Sequence, residues 1–465
     1  MAVSGRIQAP VIKNIQSSGQ MFDIASPATI IDKLKSCRSV RIFMPDMPAS
    51  FCAAKIITSI LHKELVRFEV DFQPGGARCY PDLDFHVFID LDPGECRNAL
   101  SIRDQGNSSI QGNLFTCTCR STKINSCTLS YSLAKAMNYI TSDILWPMIM
   151  CFDFYRIFTK NTIPVDDLEG EGDFLGSACN GCRELYADVI LEIQKAGPLT
   201  DVDGIYHISR PCISFLNFAS LFSALQNDIP FIIDKKIYCK KDKKAEGQRI
   251  HEYLARKGIS RESSCELYTN LGYSTKTLIE SHFRRSKSFV KKIGHGIEVS
   301  SIENFFLVCY HLLRNSRVDA FLCLSSREAP SIRESIGVHH NLVWIYRDCL
   351  ANLRRFGDVL LFRISVSEAL KDMDIGVLLH LYEHYFDMYI GRKHSHSLRH
   401  VIVLEGYLEN RFVVATDDPL VASELGHAKE RLGGYAVTDR SGLQLILTKL
   451  KARPQETPSA SSPLN

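Results

Sequence analysis

Residues 39–70 read SVRIFMPDMPASFCAAKIITSILHKELVRFEV, and this stretch decides the fold class. Val40 to Met44 is a short apolar run that stops at Pro45-Asp46, the pattern of a buried strand ending in a turn. Pro48 suits a first helical turn, and Ile56, Ile57, Ile60 and Leu61 then recur at helical spacing. From Leu65 to Phe72 the period changes to two, with Val66, Phe68, Val70 and Phe72 alternating against polar residues. Strand, helix and strand in this order are the unit of a parallel sheet covered by helices. Ligands of such sheets sit at the carboxyl ends of the strands. That places any site in the loop Pro45 to Ser50, where Asp46 is the one carboxylate.

Outward from this unit, Phe22 to Lys35 has the spacing of a first amphipathic helix. Phe85 to Leu91 reads as a third strand ending at Asp92-Pro93-Gly94, and Leu114 to Cys119 as a fourth, after a polar loop from Arg103 to Asn113. Leu129 to Tyr155 is apolar and periodic enough for one or two helices, with Pro147 as the interruption. The acidic, glycine-containing stretch Val165 to Gly176 marks a domain edge. From Tyr186 to Leu313 the signals are helical. Strands are then expected at Val318–Leu324, Leu342–Tyr346, Val359–Ile364, Val401–Glu405 and Arg411–Thr416. Helices are expected at Ile375–Tyr389, Leu420–Leu432 and Gly442–Leu450. The layout is α/β, with a parallel-sheet domain over 1–165, a mainly helical inter-domain region over 166–315, and a second, smaller α/β domain over 316–450. The Pro- and Ser-rich tail, 451–465, has too little to bury and reads as disordered.

Composition excludes more than it assigns. At 465 residues, with 45% hydrophobic and 23% charged residues, the chain is ordinary globular protein of several domains. A net charge of +3 makes any nucleic-acid surface a local one. Its longest apolar run, Ile144 to Phe154, carries Asp153 and falls short of a membrane span, and the amino terminus lacks the apolar core of a signal peptide. Sixteen cysteines in that setting read as reduced thiols, many buried as small hydrophobes.

Several short patterns carry chemistry in other proteins. His380-Leu-Tyr-Glu-His384 matches H-x-x-E-H, with both imidazoles on one helix face, yet Leu378, Leu379, Leu381 and Tyr385 account for a packed helix without metal. Cys179-Asn-Gly-Cys182 is a lone C-x-x-C with no second pair at zinc spacing. Cys117 and Cys119 alternate on a strand and read as buried thiols. His339-His340 is a double histidine far from the amino-terminal module and receives no role. Two basic clusters remain, Lys235, Lys236, Lys240, Lys241, Lys243 and Lys244 around Tyr238, and Arg284, Arg285, Lys287, Lys291 and Lys292. Such runs are solvated loops by default and phosphate-binding surfaces when function requires.

Read together, these segments resemble the cell division control protein 45 family, eukaryotic replication factors related to the DHH phosphoesterases and RecJ-type exonucleases. Phe43 to Ile57 is similar to its amino-terminal signature. Phe85-His-Val-Phe-Ile followed by Gly94 looks like its third strand, and Ser132 to Trp146 like its hallmark helix. Gly247-Gln-Arg-Ile250 to Leu254 resembles the helix opening its inter-domain region, and Asp358-Val-Leu-Leu-Phe362 a strand of its DHH-associated domain. The similarity is spread over Ser39 to Leu450, and the order of the pieces carries it.

The departures are informative. The family's long acidic insertion is reduced to Lys123–Thr128. Met47 and Ala49 stand where the first Asp-x-Asp of active enzymes would be, with Asp46 one residue out of register. Asp92 falls where those enzymes keep a carboxylate, and Thr118-Cys119-Arg120 replaces the Asp-His-His triplet. Two-metal chemistry needs several Asp and His ligands around two cations, and an arginine repels them. The resemblance therefore implies a phosphoesterase fold without its catalysis or cofactor. The implied role is a nuclear, non-enzymatic subunit of the replicative helicase that bridges the minichromosome maintenance hexamer and the GINS complex. Single-stranded DNA and the replicative polymerase are further expected contacts, and no membrane is. The alternatives are a catalytic DHH-type nuclease with substituted ligands and a single-strand DNA-binding module using the lysine runs. The missing P-loop assigns ATP hydrolysis to the hexamer.

Overall fold

Helix α1 (Pro27–Ser36) leads into strand β1 (Ser39–Phe43), helix α2 (Pro48–Lys63) and strand β2 (Arg67–Asp71). The computed structural model describes residues 27–72, 85–91, 99–103, 114–118, 126–158, 189–193, 204–211, 213–238, 243–283, 285–293, 297–325, 332–366, 370–393, 398–408, 411–425, 430–432 and 435–452. The chain divides into two compact units. The first comprises 1–151 and 174–203, the second 152–173 and 204–465.

In the first unit β1 and β2 run parallel in register from Ser39 opposite Arg67 to Phe43 opposite Asp71. The helix between them starts at Pro48, whose missing N–H is no loss in a first turn. It buries far more than one face: Phe51, Cys52, Ala53, Ala54, Ile56, Ile57, Ile60 and Leu61 are all fully buried. Ala53 and Ala54 leave room for a neighbouring helix to approach. The helix ends in a Schellman motif, with Val66 N–H donating to Leu61 and Leu65 N–H to His62. Leu65 takes the left-handed position, φ 57°, that glycine usually fills.

Strands β3 (Phe85–Ile89), β4 (Ala99–Arg103) and β5 (Leu114–Thr118) complete a five-stranded, wholly parallel sheet of order β2-β1-β3-β4-β5. Every residue of β3 is buried, as a central parallel strand requires. Strand β4 is the one the sequence reading passes over, because ALSIR is short and has a serine at its centre.

Helices α3 (Ser126–Ala136) and α4 (Ser142–Phe158) follow. The expected break at Pro147 is wrong; it lies at Met137 to Thr141, where Asn138 takes φ 58° and its neighbours cap α3. Proline costs a helix interior about 3 kcal/mol. The residues around it, Ile144, Leu145, Trp146, Met148, Ile149 and Met150, are all at most 1% exposed. At about 1.5–3 kcal/mol each, their burial outweighs that cost. The final turns of α4, from Phe152, belong to the second unit.

The second unit opens with strand β6 (Ile205–Pro211) and helices α5 (Leu221–Asn227), α6 (Ile229–Lys235), α7 (Lys243–Ala255), α8 (Arg261–Cys265) and α9 (Tyr273–His282). Strand β7 (Arg285–Ile293) pairs antiparallel with β6, and β8 (Ile297–Ser300) pairs antiparallel with β7, giving the order β6-β7-β8. This small sheet lies inside the stretch whose sequence signals are helical. Helix α10 (Ser301–Leu313) starts from a reciprocal cap, in which the Ser300 hydroxyl meets Glu303 N–H and the Glu303 carboxylate meets Ser300 N–H. Glu303 also accepts from Phe215 N–H at 2.7 Å and pairs with Arg210 at 3.0 Å.

Helices α11 (Arg317–Ser325) and α12 (Ile332–Ala351) replace two expected strands, Val318–Leu324 and Leu342–Tyr346. Short apolar runs do not distinguish strand from buried helix. In α11 the buried positions are Ala320, Cys323 and Leu324, and in α12 they include Val338, Leu342, Tyr346 and Cys349, both at helical spacing. Arg347 of α12 is buried and paired with Glu246 of α7, and its Nε donates to the Ile237 carbonyl at 3.2 Å.

The carboxy-terminal sheet has order β13-β14-β12-β11-β10-β9, with β9 (Arg354–Phe356), β10 (Val359–Ser365), β11 (Arg399–Leu408), β12 (Arg411–Thr416), β13 (Glu430–Leu432) and β14 (Tyr435–Asp439). The pair β10–β11 is parallel and crosses through helix α13 (Ile375–Lys393); the other pairs are antiparallel. The helix expected over Leu420–Leu432 is shorter, α14 (Pro419–Leu425), and gives way to β13. Helix α15 (Arg440–Lys451) places Leu443, Ile446 and Leu450 in a core with Val401, Val403 and Val414. The tail after Ala452 lies outside the described residues.

Candidate functional site

In a parallel sheet of order 2-1-3-4-5 the strand order reverses between β1 and β3, and ligands bind outside the carboxyl ends there. Two acids follow those two strand ends. Asp46 lies in the loop between β1 and α2, half-buried. Asp90 follows β3 directly, in the left-handed region at φ 53°, where aspartate is among the few side chains tolerated. Its backbone N–H donates to the Ile102 carbonyl at 2.9 Å, holding the turn against β4.

One carboxylate oxygen of Asp90 accepts two hydroxyls, Ser50 Oγ and Ser126 Oγ, each at 2.7 Å. Ser50 sits in the first turn of α2 and Ser126 opens α3, and both are buried. Neither helix has an acid in its own first turn, so Asp90 also supplies the negative charge that those amino termini favour. The result is a clasp tying the loop after β3 to the starts of two helices. A serine becomes a nucleophile by passing its proton to an adequate base, usually an imidazole, and a carboxylate alone is a weak acceptor for that proton. The geometry positions; it does not activate.

Beneath the clasp, Cys52, Cys127 and Cys151 lie together in the core. Burial, with the neighbouring thiols, pushes the Cys127 thiol well up, which keeps it protonated and inert. Eight described cysteines are free thiols, and only Cys265 among them is exposed.

Of the residues singled out from sequence, Thr118 ends β5, while Asp92, Cys119 and Arg120 lie outside the described residues, as do Cys179 and Cys182. Asp90 is the site residue that sequence reading missed. Its signal was present: it is the acid immediately after the buried run FHVFI. Among the described residues no group of three or more His, Cys, Asp and Glu side chains is arranged to hold a metal ion. No helix of the described residues is long and apolar enough to cross a membrane.

In the second unit, Lys235 and Lys236 are exposed at the end of α6, with the Lys235 ammonium 4.9 Å from the Tyr253 ring. Lys243 and Lys244 open α7, and Lys240 and Lys241 lie outside the described residues. Lys291, counted with the second basic cluster, is buried on β7. His384 Nδ1 donates to the His380 carbonyl at 2.7 Å, and its ring packs 5.0 Å from that of Phe154. Burial holds His384 down at about 4 and His380 well below its ordinary range. His339, left without a role on sequence, is buried between Tyr310 and the Asn227 carbonyl.

No protein-family model matches the chain, and no curated protein matches it. Solved structures do. CDC45 from Entamoeba histolytica superposes with a TM-score of 0.65 at 13% identity, covering 91% of this chain and 97% of that one. The chain has the fold of CDC45. RecJ in complex with Mn2+ from Thermus thermophilus matches with a TM-score of 0.43 at 8% identity over 92% of this chain and 53% of its own. An exonuclease RecJ bound to manganese matches at 0.40 and 8%, over 92% and 94%. This chain carries the parallel sheet β1–β5 at the amino end and the mixed sheet β9–β14 at the carboxyl end, the fold class that the sequence resemblance implied.

Proposed function

We propose that this chain is a CDC45-type subunit of the nuclear replication machinery and works without catalysis of its own. The observation that carries this is the near end-to-end correspondence with a CDC45 structure, 91% of one chain and 97% of the other. The Asp90 clasp supports the non-catalytic part: a carboxylate at the switch point is engaged by two serine hydroxyls and serves to hold helices α2 and α3 to the sheet.

The partners follow from the family resemblance. The chain joins the minichromosome maintenance hexamer to GINS as a bridge, with the hexamer supplying ATP hydrolysis. The lysines around α6 and α7 face a partner subunit first and single-stranded DNA second. The test is assembly. Purified chain mixed with hexamer and GINS elutes with both on size exclusion, and with neither if the proposal is wrong. Degradation of single-stranded DNA in manganese, abolished by Asp90→Ala, sinks the non-catalytic reading on its own.

A further inference from the structure

Trp344 is 49% exposed on helix α12, whereas Trp146, the other tryptophan of the chain, is fully buried. Two turns before Trp344, Gly337 lies in the interior of the same 20-residue helix and is exposed too. Glycine is the poorest helix former after proline, and among the described residues a Cβ at Gly337 meets nothing within 4 Å. The fold by itself has no use for the missing side chain, nor for an indole held half in water.

The rest of the helix face shows what does. The exposed residues of α12 are Arg333, Glu334, Gly337, Asn341, Trp344 and Asp348. Four of them, Arg333, Gly337, Trp344 and Asp348, fall on one stripe within about 60° of arc. The stripe is symmetric about the point between His340 and Asn341. Gly337 and Trp344 lie equally far on either side of that point, and so do Arg333 and Asp348, which carry opposite charge. Neither Arg333 nor Asp348 is in an ion pair among the described residues, while Glu334 is taken up by Arg314 at 3.0 Å. A second copy of the helix, laid antiparallel with a two-fold axis at that point, sets indole against glycine twice and Arg333 against Asp348 twice. Such self-complementarity is what an isologous interface requires.

We propose that the outer face of α12 is a dimerisation surface, with a second copy of this chain as its occupant. Trp344 of each protomer covers the partner's Gly337, where the absent side chain lets the ring approach the backbone. Arg333 of each protomer meets the partner's Asp348, and Asn341 lies beside its own copy near the axis. A parallel arrangement sets arginine against arginine and aspartate against aspartate, so charge selects the antiparallel one. One helix face is a small contact, so the dimer is reversible and micromolar. This surface is independent of the replication reading, and the inference stands if that reading fails.

The experiment is sedimentation velocity of the full chain at loading concentrations that bracket the micromolar range. The chain shifts from monomer to dimer as concentration rises. Trp344→Ala weakens the dimer by at least about tenfold, in the range of a hot-spot truncation. Gly337→Gln, which fills the glycine notch with a better helix former, does the same while the melting temperature is kept or raised. Arg333→Asp and Asp348→Arg are each monomeric alone, because like charges then face each other, and the two form a dimer when mixed. A monomer at every loading concentration overturns the proposal. So does a dimer unmoved by Trp344→Ala and Gly337→Gln, or a pair of charge variants that stays monomeric on mixing. A melting temperature lowered by Gly337→Gln overturns it too, since the glycine then serves its own fold.

Discussion

The carboxylate of Glu303 accepts the backbone N–H of Phe215 at 2.7 Å, joining residues 88 apart in sequence. Phe215 is buried in the left-handed region, φ 59°, and Arg210 completes the arrangement at 3.0 Å. Glu303 thus caps α10, holds a strained phenylalanine and neutralises a largely buried arginine. Glu303→Ala leaves that charge and N–H without their partner and is expected to cost about 3–5 kcal/mol. Glu303→Gln, which keeps the shape and one acceptor, costs less. Urea unfolding followed by tyrosine fluorescence ranks the two; equal losses would show that the charge is immaterial.

Acid weakens the second unit through its histidines. Burial holds His339 down to about 3 and His384 to about 4, against an ordinary value near 6.5. A neutral buried imidazole contributes stability that is complete above about 6.5 and is lost as pH falls through this window. Asp228 acts oppositely: burial raises it to about 6, so its contribution is largest at acid pH and is lost as pH rises towards 6. Burial also holds His380 well down, so the buried histidines outnumber the single aspartate and stability rises between pH 4 and 6.5, by roughly 1.4 kcal/mol per pH unit for each uncompensated group. Melting temperatures across that range test the sign. A fall with rising pH would mean that Asp228 dominates.

Asp90 combines a left-handed backbone with two hydroxyl partners. Asp90→Ala forfeits both features and is expected to cost about 2–4 kcal/mol in the first unit. Asp90→Asn tolerates the backbone and keeps one acceptor, so it costs about half as much. Hydrogen exchange at the first turns of α2 and α3 reports the loosening. Unchanged protection in Asp90→Ala would remove the clasp from the account of this site.

The lysine run is tested by replacing Lys240, Lys241, Lys243 and Lys244 with alanine. With a partner subunit as the target, hexamer–GINS assembly weakens while the melting temperature holds. With single-stranded DNA as the target, the logarithmic salt slope becomes shallower by up to about 3, at ~0.7 per phosphate contact. Wild-type behaviour in both assays would make the run a solvated loop.

The strand–helix–strand unit was legible because two periods change cleanly within 32 residues, from the run at Val40 to the helix spacing at Ile56 and the alternation at Val66. Strand β4 was not legible, since Ser101 at its centre breaks the apolar run although it is buried. The strands expected in α11 and α12 fail for one reason: five to seven apolar residues fit a strand and a buried helix alike, and tertiary packing decides. At the site, the loop after β1 followed from topology, and Asp46 lies in it. Asp90 did not follow, because its role depends on Ser50 and Ser126, forty and thirty-six residues away, which no local pattern brings together.

Arg347 holds both described flanks of the lysine run, the Ile237 carbonyl on one side and the Glu246 carboxylate on the other. One side chain thereby fixes the span that the residues between must bridge, whatever their number. Lengthening a loop between fixed ends is cheap, about 0.6 kcal/mol for each doubling. With these two points held, sequence inserted between residues 238 and 243, an epitope or a fluorescent reporter, is expected to leave the melting temperature unchanged. Arg347→Met converts the same insertion from tolerated to disruptive, because the ends are then free to part.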